Sequence, residues 1–323
     1  MVNRPFPVNP VHTAISISYR NPRLTLIADE VLPRVMVGAS KFSWTFLPVE
    51  QAFSVPRTEV GRLGRVERVE FRGQEREGGT RDFALEDAIP FDDIRDAEAM
   101  RANGLGTFDP VTIAVEWLTD LILVDREVRA AATLQDPNNY APNNRIALSG
   151  DNQLSHPDCD VIGTLKAAFD KTLIFRPNTM TMGREVWSAL SSNPQLVNAV
   201  KGNVSSKGII KPDEFVSLFE GEGLKKLNIG EAFINTARKG QTPVLSRVWG
   251  NSISLTYINP AARPEQGATF GFTAQWQTRL AGSWEDKNVG MRGGTVVRVG
   301  ESVKEIVCAP EAGYIIQNPV APQ

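Results

Sequence analysis

The sequence predicts an α+β fold. One long amphipathic helix is expected in the middle of the chain, shorter helices follow it, and the last third is patterned as strands. Helices and strands mix without a βαβαβ rhythm, which argues against a doubly wound parallel sheet. The 323 residues, 41% hydrophobic and 22% charged, have ordinary globular composition and suffice for one large or two modest domains.

Residues 1 to about 50 read as an extended arm. Pro5, Pro7, Pro10, Pro22, Pro33 and Pro48 punctuate it, and proline removes a backbone donor and disfavours helix at the residue before it, so long helices are not expected. The arm is nonetheless apolar, with Ile15, Ile17, Leu24, Leu26, Ile27, Val31, Leu32, Val35, Phe42, Trp44 and Phe46, too many for a solvated tail. Either its own domain or a neighbouring subunit must cover it.

Residues 51–90 change character. Seven arginines, Arg57, Arg62, Arg65, Arg68, Arg72, Arg76 and Arg81, alternate with glutamates and with Gly61, Gly64, Gly73, Gly78 and Gly79. Val69, Phe71, Phe83 and Leu85 give short alternating patterns, so the segment reads as a two-stranded projection. An isolated hairpin is marginal in water, so it either rests on something or stands as a solvated charged hairpin. Residues 82–98 are acidic, with Asp82, Glu86, Asp87, Asp92, Asp93, Asp96 and Glu98 against Arg95. The spacing is not that of a calcium loop, which leaves a solvated face or a patch that meets arginines from elsewhere.

The strongest helix is expected over 110–134. Asp109 suits the N-cap, Pro110 fits the first helical position, and Val111, Ala114, Val115, Leu118, Leu121 and Ile122 follow helical spacing. Such a helix is a rod of about 37 Å. Further helices are expected at 158–173, 184–192, 194–201 and 212–220, and strands at 179–182, 252–258, 269–276, 295–308 and 312–318.

Chemistry is sparse. The 35 basic and 37 acidic residues leave a net charge of -2, unlike a dedicated nucleic-acid binder. Two histidines, His12 and His156, exclude multi-histidine metal sites, and only His156 is placed to serve as a base. There is no GxSxG elbow and no phosphate loop. Cys159 and Cys308 form no CxxC pair; reduced thiols or a disulfide are both open. The N-terminus has no apolar signal-peptide core, and no apolar run approaches the roughly 20 residues needed to cross a bilayer. No cofactor, metal site or catalytic residue is expected. The six tryptophans are scattered and are expected in the core. From Phe42 to Leu165 there are twelve arginines and no lysine. Guanidinium is always charged and pairs bidentately with carboxylates, so repeated weak pairs could set register between subunits.

Several runs, in order along nearly the whole chain, carry a resemblance. They are Tyr19-Arg20-Asn21-Pro22 through Ile27-Ala28-Asp29-Glu30-Val31-Leu32-Pro33, Ala114-Val115-Glu116-Trp117-Leu118-Thr119-Asp120, Arg176-Pro177-Asn178-Thr179-Met180, Gly271-Phe272-Thr273-Ala274-Gln275, and Arg298-Val299-Gly300-Glu301-Ser302-Val303-Lys304-Glu305. Together they resemble the major capsid proteins of tailed bacteriophages, including Mu-like transposable phages. The resemblance implies the Hong Kong ninety-seven type of capsid fold. It divides the chain into an N-terminal arm (1–50), an extended loop (51–90), a peripheral domain (91–183) with spine helix 110–134, an axial domain (184–268), and a return to the peripheral domain (269–323).

The resemblance also implies a function: copies assemble as pentamers and hexamers into an icosahedral shell around a double-stranded DNA genome. The expected partners are the chain itself, a portal protein at one vertex, and packaged DNA held weakly and without sequence preference; whether scaffolding and decoration proteins join them is left open by the sequence. No membrane partner is expected. Assembly would take place in the host cytoplasm. With the arm beginning almost at once, no long fused scaffold segment is expected. Some relatives weld subunits by an isopeptide bond from a loop lysine; residues 51–90 contain none, so the seven arginines are expected to make inter-subunit contacts instead. An encapsulin-like compartment shares the fold and is the alternative shell; a hydrolase using His156 is the poorest reading.

Overall fold

The computed structural model describes residues 7–19, 21, 24–46, 55, 58–62, 64–66, 68, 74–156, 158–172, 175–202, 207–238, 240–262 and 268–321. The arm is not wholly extended. Asn9 caps a nine-residue helix, α1 (Pro10–Ser18), by accepting from the amides of Val11 and His12. Proline sits at its first position, where the missing N–H costs nothing. One short turn, α2 (Ala28–Val31), and strand β1 (Arg34–Val37) follow.

Strands β2 (Lys41–Phe46) and β3 (Gln74–Gly79) pair antiparallel, Lys41 opposite Gly79 and Phe46 opposite Gln74, to make a two-stranded ribbon. Gly78 lies against the Trp44 ring: a Cβ there would sit 2.7 Å from it, so the close approach requires glycine. The strand expected to complete a hairpin, β4 (Arg81–Pro90), instead joins the main sheet. The acidic segment 91–98 lies on a helix, α3 (Phe91–Ala102), on which Ala97 is buried.

The long helix, α4, spans Pro110–Gln135, with the Asp109 side chain accepting from Val111 N. Strand β5 (Arg145–Ala147), helix α5 (Val161–Lys171), strand β6 (Thr179–Gly183) and helices α6 (Arg184–Ser191), α7 (Pro194–Lys201) and α8 (Pro212–Phe219) follow. The expected helix start at 158 falls at Val161 because Asp160 takes the cap. Then come β7 (Lys226–Gly230), β8 (Phe233–Asn235), β9 (Leu245–Arg247), β10 (Ser252–Thr256), β11 (Gly271–Asp286), β12 (Gly294–Val307) and β13 (Gly313–Gln317).

Two sheets organise these elements. The first, in order β1-β11-β12-β4, carries α4 on one face, where Ile89, Val115, Leu118, Ile122, Val297 and Val299 share a core. Burying each such side chain contributes about 1.5–3 kcal/mol. Helix α1 rests beside α4 on the same face, tied by Ser16 to Thr119 at 3.0 Å. The second sheet, β5-β13-β10-β6-β7, packs against α5 to α8 through Phe169, Phe215, Phe219, Leu190 and Met180. It takes β7 and β10 from within the 184–268 segment and β5, β6 and β13 from outside it. A third cluster joins the two, with Val31 and Leu32 of the arm packed among Ala130, Leu134, Trp249 and Phe270. For residues 27–32, therefore, the chain's own body provides the cover that the apolar arm requires.

Candidate assembly interface

Three features bear on function: an arginine-rich segment carried by the two-stranded ribbon, an acidic edge, and a buried charge cluster that anchors the arm. The ribbon β2–β3 leads to the arginine-rich segment. Arg62, Arg65, Arg68, Arg76 and Arg81 are exposed; Arg57 and Arg72 lie outside the described residues. At the ribbon's root Trp44 is buried with Val37, Phe272 and Ile306, and Phe42 packs 5.8 Å from it, centroid to centroid. Exposed valines, Val55, Val60 and Val66, accompany the arginines.

The acidic residues meet arginines of their own chain in part. Arg298 pairs with Glu86, and Asp92 takes both Arg95 at 2.6 Å and Arg292 at 3.0 Å. Asp82 accepts from Ser302. Among the described residues Asp87, Asp93, Asp96 and Glu98 take no ion pair, and all four are exposed. No group of three or more metal-ligating side chains occurs among the described residues.

The arm is anchored by buried charge. Glu127, on the inner phase of α4, is fully buried and accepts from Ile27 N, Ala28 N at 2.8 Å and Trp249 Nε1 at 2.7 Å. Burial pushes its carboxyl above the usual range, although these donors oppose the shift. One residue earlier, Arg126 reaches Asp29 at 2.5 Å, the Leu32 carbonyl and Thr273 Oγ1. Glu301 has a fully buried side chain and takes Arg34 at 2.8 Å and Arg279 at 3.0 Å. Burial raises its carboxyl, but Arg34 and Arg279 outweigh that and hold it below the usual range. Arg279 also donates to the Ser16 carbonyl. The N-terminal residues, helix α4 and the first sheet thus share one network. Sequence reasoning missed it, although two charges at 126 and 127, in phase with Ile122 and Ala130, were a usable signal.

Elsewhere His156 lies 3.6 Å from exposed Asp151, and burial pushes the nearby Cys159 thiol up rather than activating it. Cys308 is pushed up to about 12 by burial. Trp44, Trp187 and Trp249 are buried as expected, but Trp117 is 67% exposed on α4, against the expectation of core packing.

No family model matches the chain. It is 41% identical over 321 residues, 99% of this chain and all of the relative, to the major capsid protein of Pseudomonas phage JBD67. It is 27% identical, over 96% of both chains, to the major capsid protein of Burkholderia phage BcepMu. A crystal structure of a phage-related protein from Bordetella bronchiseptica RB50 matches with a TM-score of 0.76 at 22% identity, over 99% of this chain and all of that one. Solved phage structures, a cyanophage capsid among them, share the fold at TM-scores from 0.54 to 0.58.

Proposed function

The chain belongs to the major capsid proteins of bacteriophages and has the Hong Kong ninety-seven type fold, and from that premise we propose how its copies build the head. Copies self-assemble, as pentamers and hexamers, into a closed icosahedral shell that encloses the double-stranded DNA genome. Assembly takes place in the host cytoplasm around a portal protein at one vertex. The division into arm, loop, peripheral domain and axial domain is the working frame for these contacts. With a net charge of -2, contact with packaged DNA is local, weak and screened by salt.

The observation that carries the subunit contact is the mismatch of charge on a single copy. One copy exposes Arg62, Arg65 and Arg68 beyond the ribbon and Arg81 at the start of β4, interleaved with exposed Glu59 and Glu77, and leaves Asp87, Asp93, Asp96 and Glu98 without ion pairs among the described residues. Between copies these sets complement one another, and Arg57, Arg72 and Arg76 extend the basic set. Each exposed pair contributes only about 0–1 kcal/mol, so the contact sets register and buried apolar surface supplies cohesion.

The test is charge reversal. Arg62→Glu, Arg65→Glu and Arg68→Glu together prevent shells in electron micrographs, and adding Asp93→Lys, Asp96→Lys and Glu98→Lys restores them. Wild-type shells from the triple arginine variant would overturn the pairing.

A further inference from the structure

The outer face of α4 carries an apolar stripe that the fold leaves partly uncovered: Trp117 and Leu121 are exposed, while Ile113 and the two valines beyond them are half-buried. Ile113, Trp117, Leu121, Val124 and Val128 recur at spacings of four, four, three and four, which places them on one face over about 22 Å. Trp117 is 67% and Leu121 57% exposed, while Val124 and Val128 are half-buried. The opposite phase, with Val115, Leu118 and Ile122, is already spent on the sheet. Large apolar side chains clustered in this way on a surface mark an interaction site more often than a solvated face.

The surroundings state the partner's charge. Between Arg101 and Arg126 the sequence has no cation, but it has Asp109, Glu116, Asp120 and Asp125. Helix α1 runs beside α4 in the same direction, with Ser16 bonded to Thr119 and Asn21 donating to Asp120 at 2.8 Å. It adds no lysine or arginine. Its histidine, His12, faces Asp109 across the pair, and burial holds it below its ordinary range and so neutral. Tyr19 lies in the field of Asp120 and Glu116. From Ile113 to Val124 the stripe is therefore an apolar strip in an acidic surround; at Val128 it meets Arg129, which is paired with Asp125 and Glu305.

Two copies facing one another through it would oppose like charges, which disfavours a symmetric self-contact; a head-to-tail contact, the kind that rings of five and six use, is the competing occupant. A helical ligand matches the helical spacing of the strip, and basic flanks match its surround.

We infer that the exposed face of α4 is a docking site for an amphipathic helix of another protein, with an apolar stripe flanked by lysine or arginine. This rests on the capsid reading only in that such a protein would meet the chain during or after shell assembly. Binding places the partner's apolar side chains on Trp117 and Leu121 and its cations beside Glu116 and Asp125. The ion pair of Asp125 with Arg129 leaves Glu116 as the carboxylate with the larger local effect.

The probe is an 18-residue leucine–lysine amphipathic peptide, with a leucine–glutamate and a serine–lysine version as controls. Each carries a fluorescent label, and binding to the unassembled full-length chain is read by anisotropy. The leucine–lysine peptide binds at least tenfold more tightly than either control. Trp117→Ser with Leu121→Ser reduces that binding at least tenfold while circular dichroism stays unchanged, since both side chains are exposed. Glu116→Lys narrows the preference for lysine over glutamate flanks. Equal binding of the three peptides, or no loss in the Trp117→Ser/Leu121→Ser chain, overturns the proposal. The same variant is also tested for shells by electron microscopy. Lost shells with lost association between copies would make the stripe a copy-to-copy contact and overturn it too. A wild-type chain that forms no shells would contradict the capsid reading, and the peptide result would still decide this one.

Discussion

Glu301, its side chain fully buried, holds Arg34 from the arm and Arg279 from the sheet. Removing one member of such a set leaves buried charge uncompensated, at a cost of about 3–5 kcal/mol. Glu301→Ala is therefore expected to lower unfolding free energy by that order in urea titrations of the unassembled subunit; a change near zero would deny the network its anchoring role. The pH dependence follows from opposite shifts. Glu301 is held below its ordinary range, so its contribution is present above that range and is lost as pH falls through its folded value. Glu127 is pushed up, so it favours the folded state most at low pH, and that contribution is lost as pH rises through its folded value. The wild-type chain is expected to lose stability on acidification more steeply than Glu301→Gln, and Glu127→Gln is expected to gain relative stability toward neutral pH. Thermal unfolding across pH measures both slopes; parallel curves would contradict the assignment.

At the scale of elements, the ribbon contributes little to either core beyond Trp44, so its far end is dispensable for folding. Replacing residues 57–72 by a short glycine–serine turn is expected to preserve the circular dichroism spectrum and unfolding midpoint and to abolish shells. Loss of the folded spectrum would place that segment in the core. The cut stops short of β3, because Gly78 packs under Trp44. Such boundaries were only partly legible in the sequence. The spine helix was readable because cap, proline and apolar period agree over Asp109–Ile122. Helix α3 was not, because a single buried alanine gives no period to read. Strand β11 runs on past 276 through an irregularity at Gln277, which has a φ of 60°. The bend breaks the alternation that a sequence reading follows. The arm's anchors were hidden for another reason: Glu127 meets Ile27 a hundred residues away, and Arg279 meets Ser16 at a separation of 263.

For the whole molecule, the family, the fold and the shell function were legible because short runs spread along the chain kept their order. The contacts between copies were not legible, since no single-chain pattern says which neighbour a charged surface meets. Residues 57–81 offer arginine where an amide weld would need an amine, and the ribbon's lysine is Lys41 at its root. Mature particles boiled in denaturing detergent with reductant are expected to run as one band near 35.5 kDa. A ladder that survives reductant would show covalent welding; one seen only without reductant would point to Cys159 or Cys308.

The central claim, that copies of this chain build a closed shell, is tested most directly by electron microscopy of the purified protein with light scattering on the same sample. The account predicts closed particles of uniform diameter built from rings of five and six. A species that stays monomeric at high concentration, with its arm resistant to protease, would contradict it.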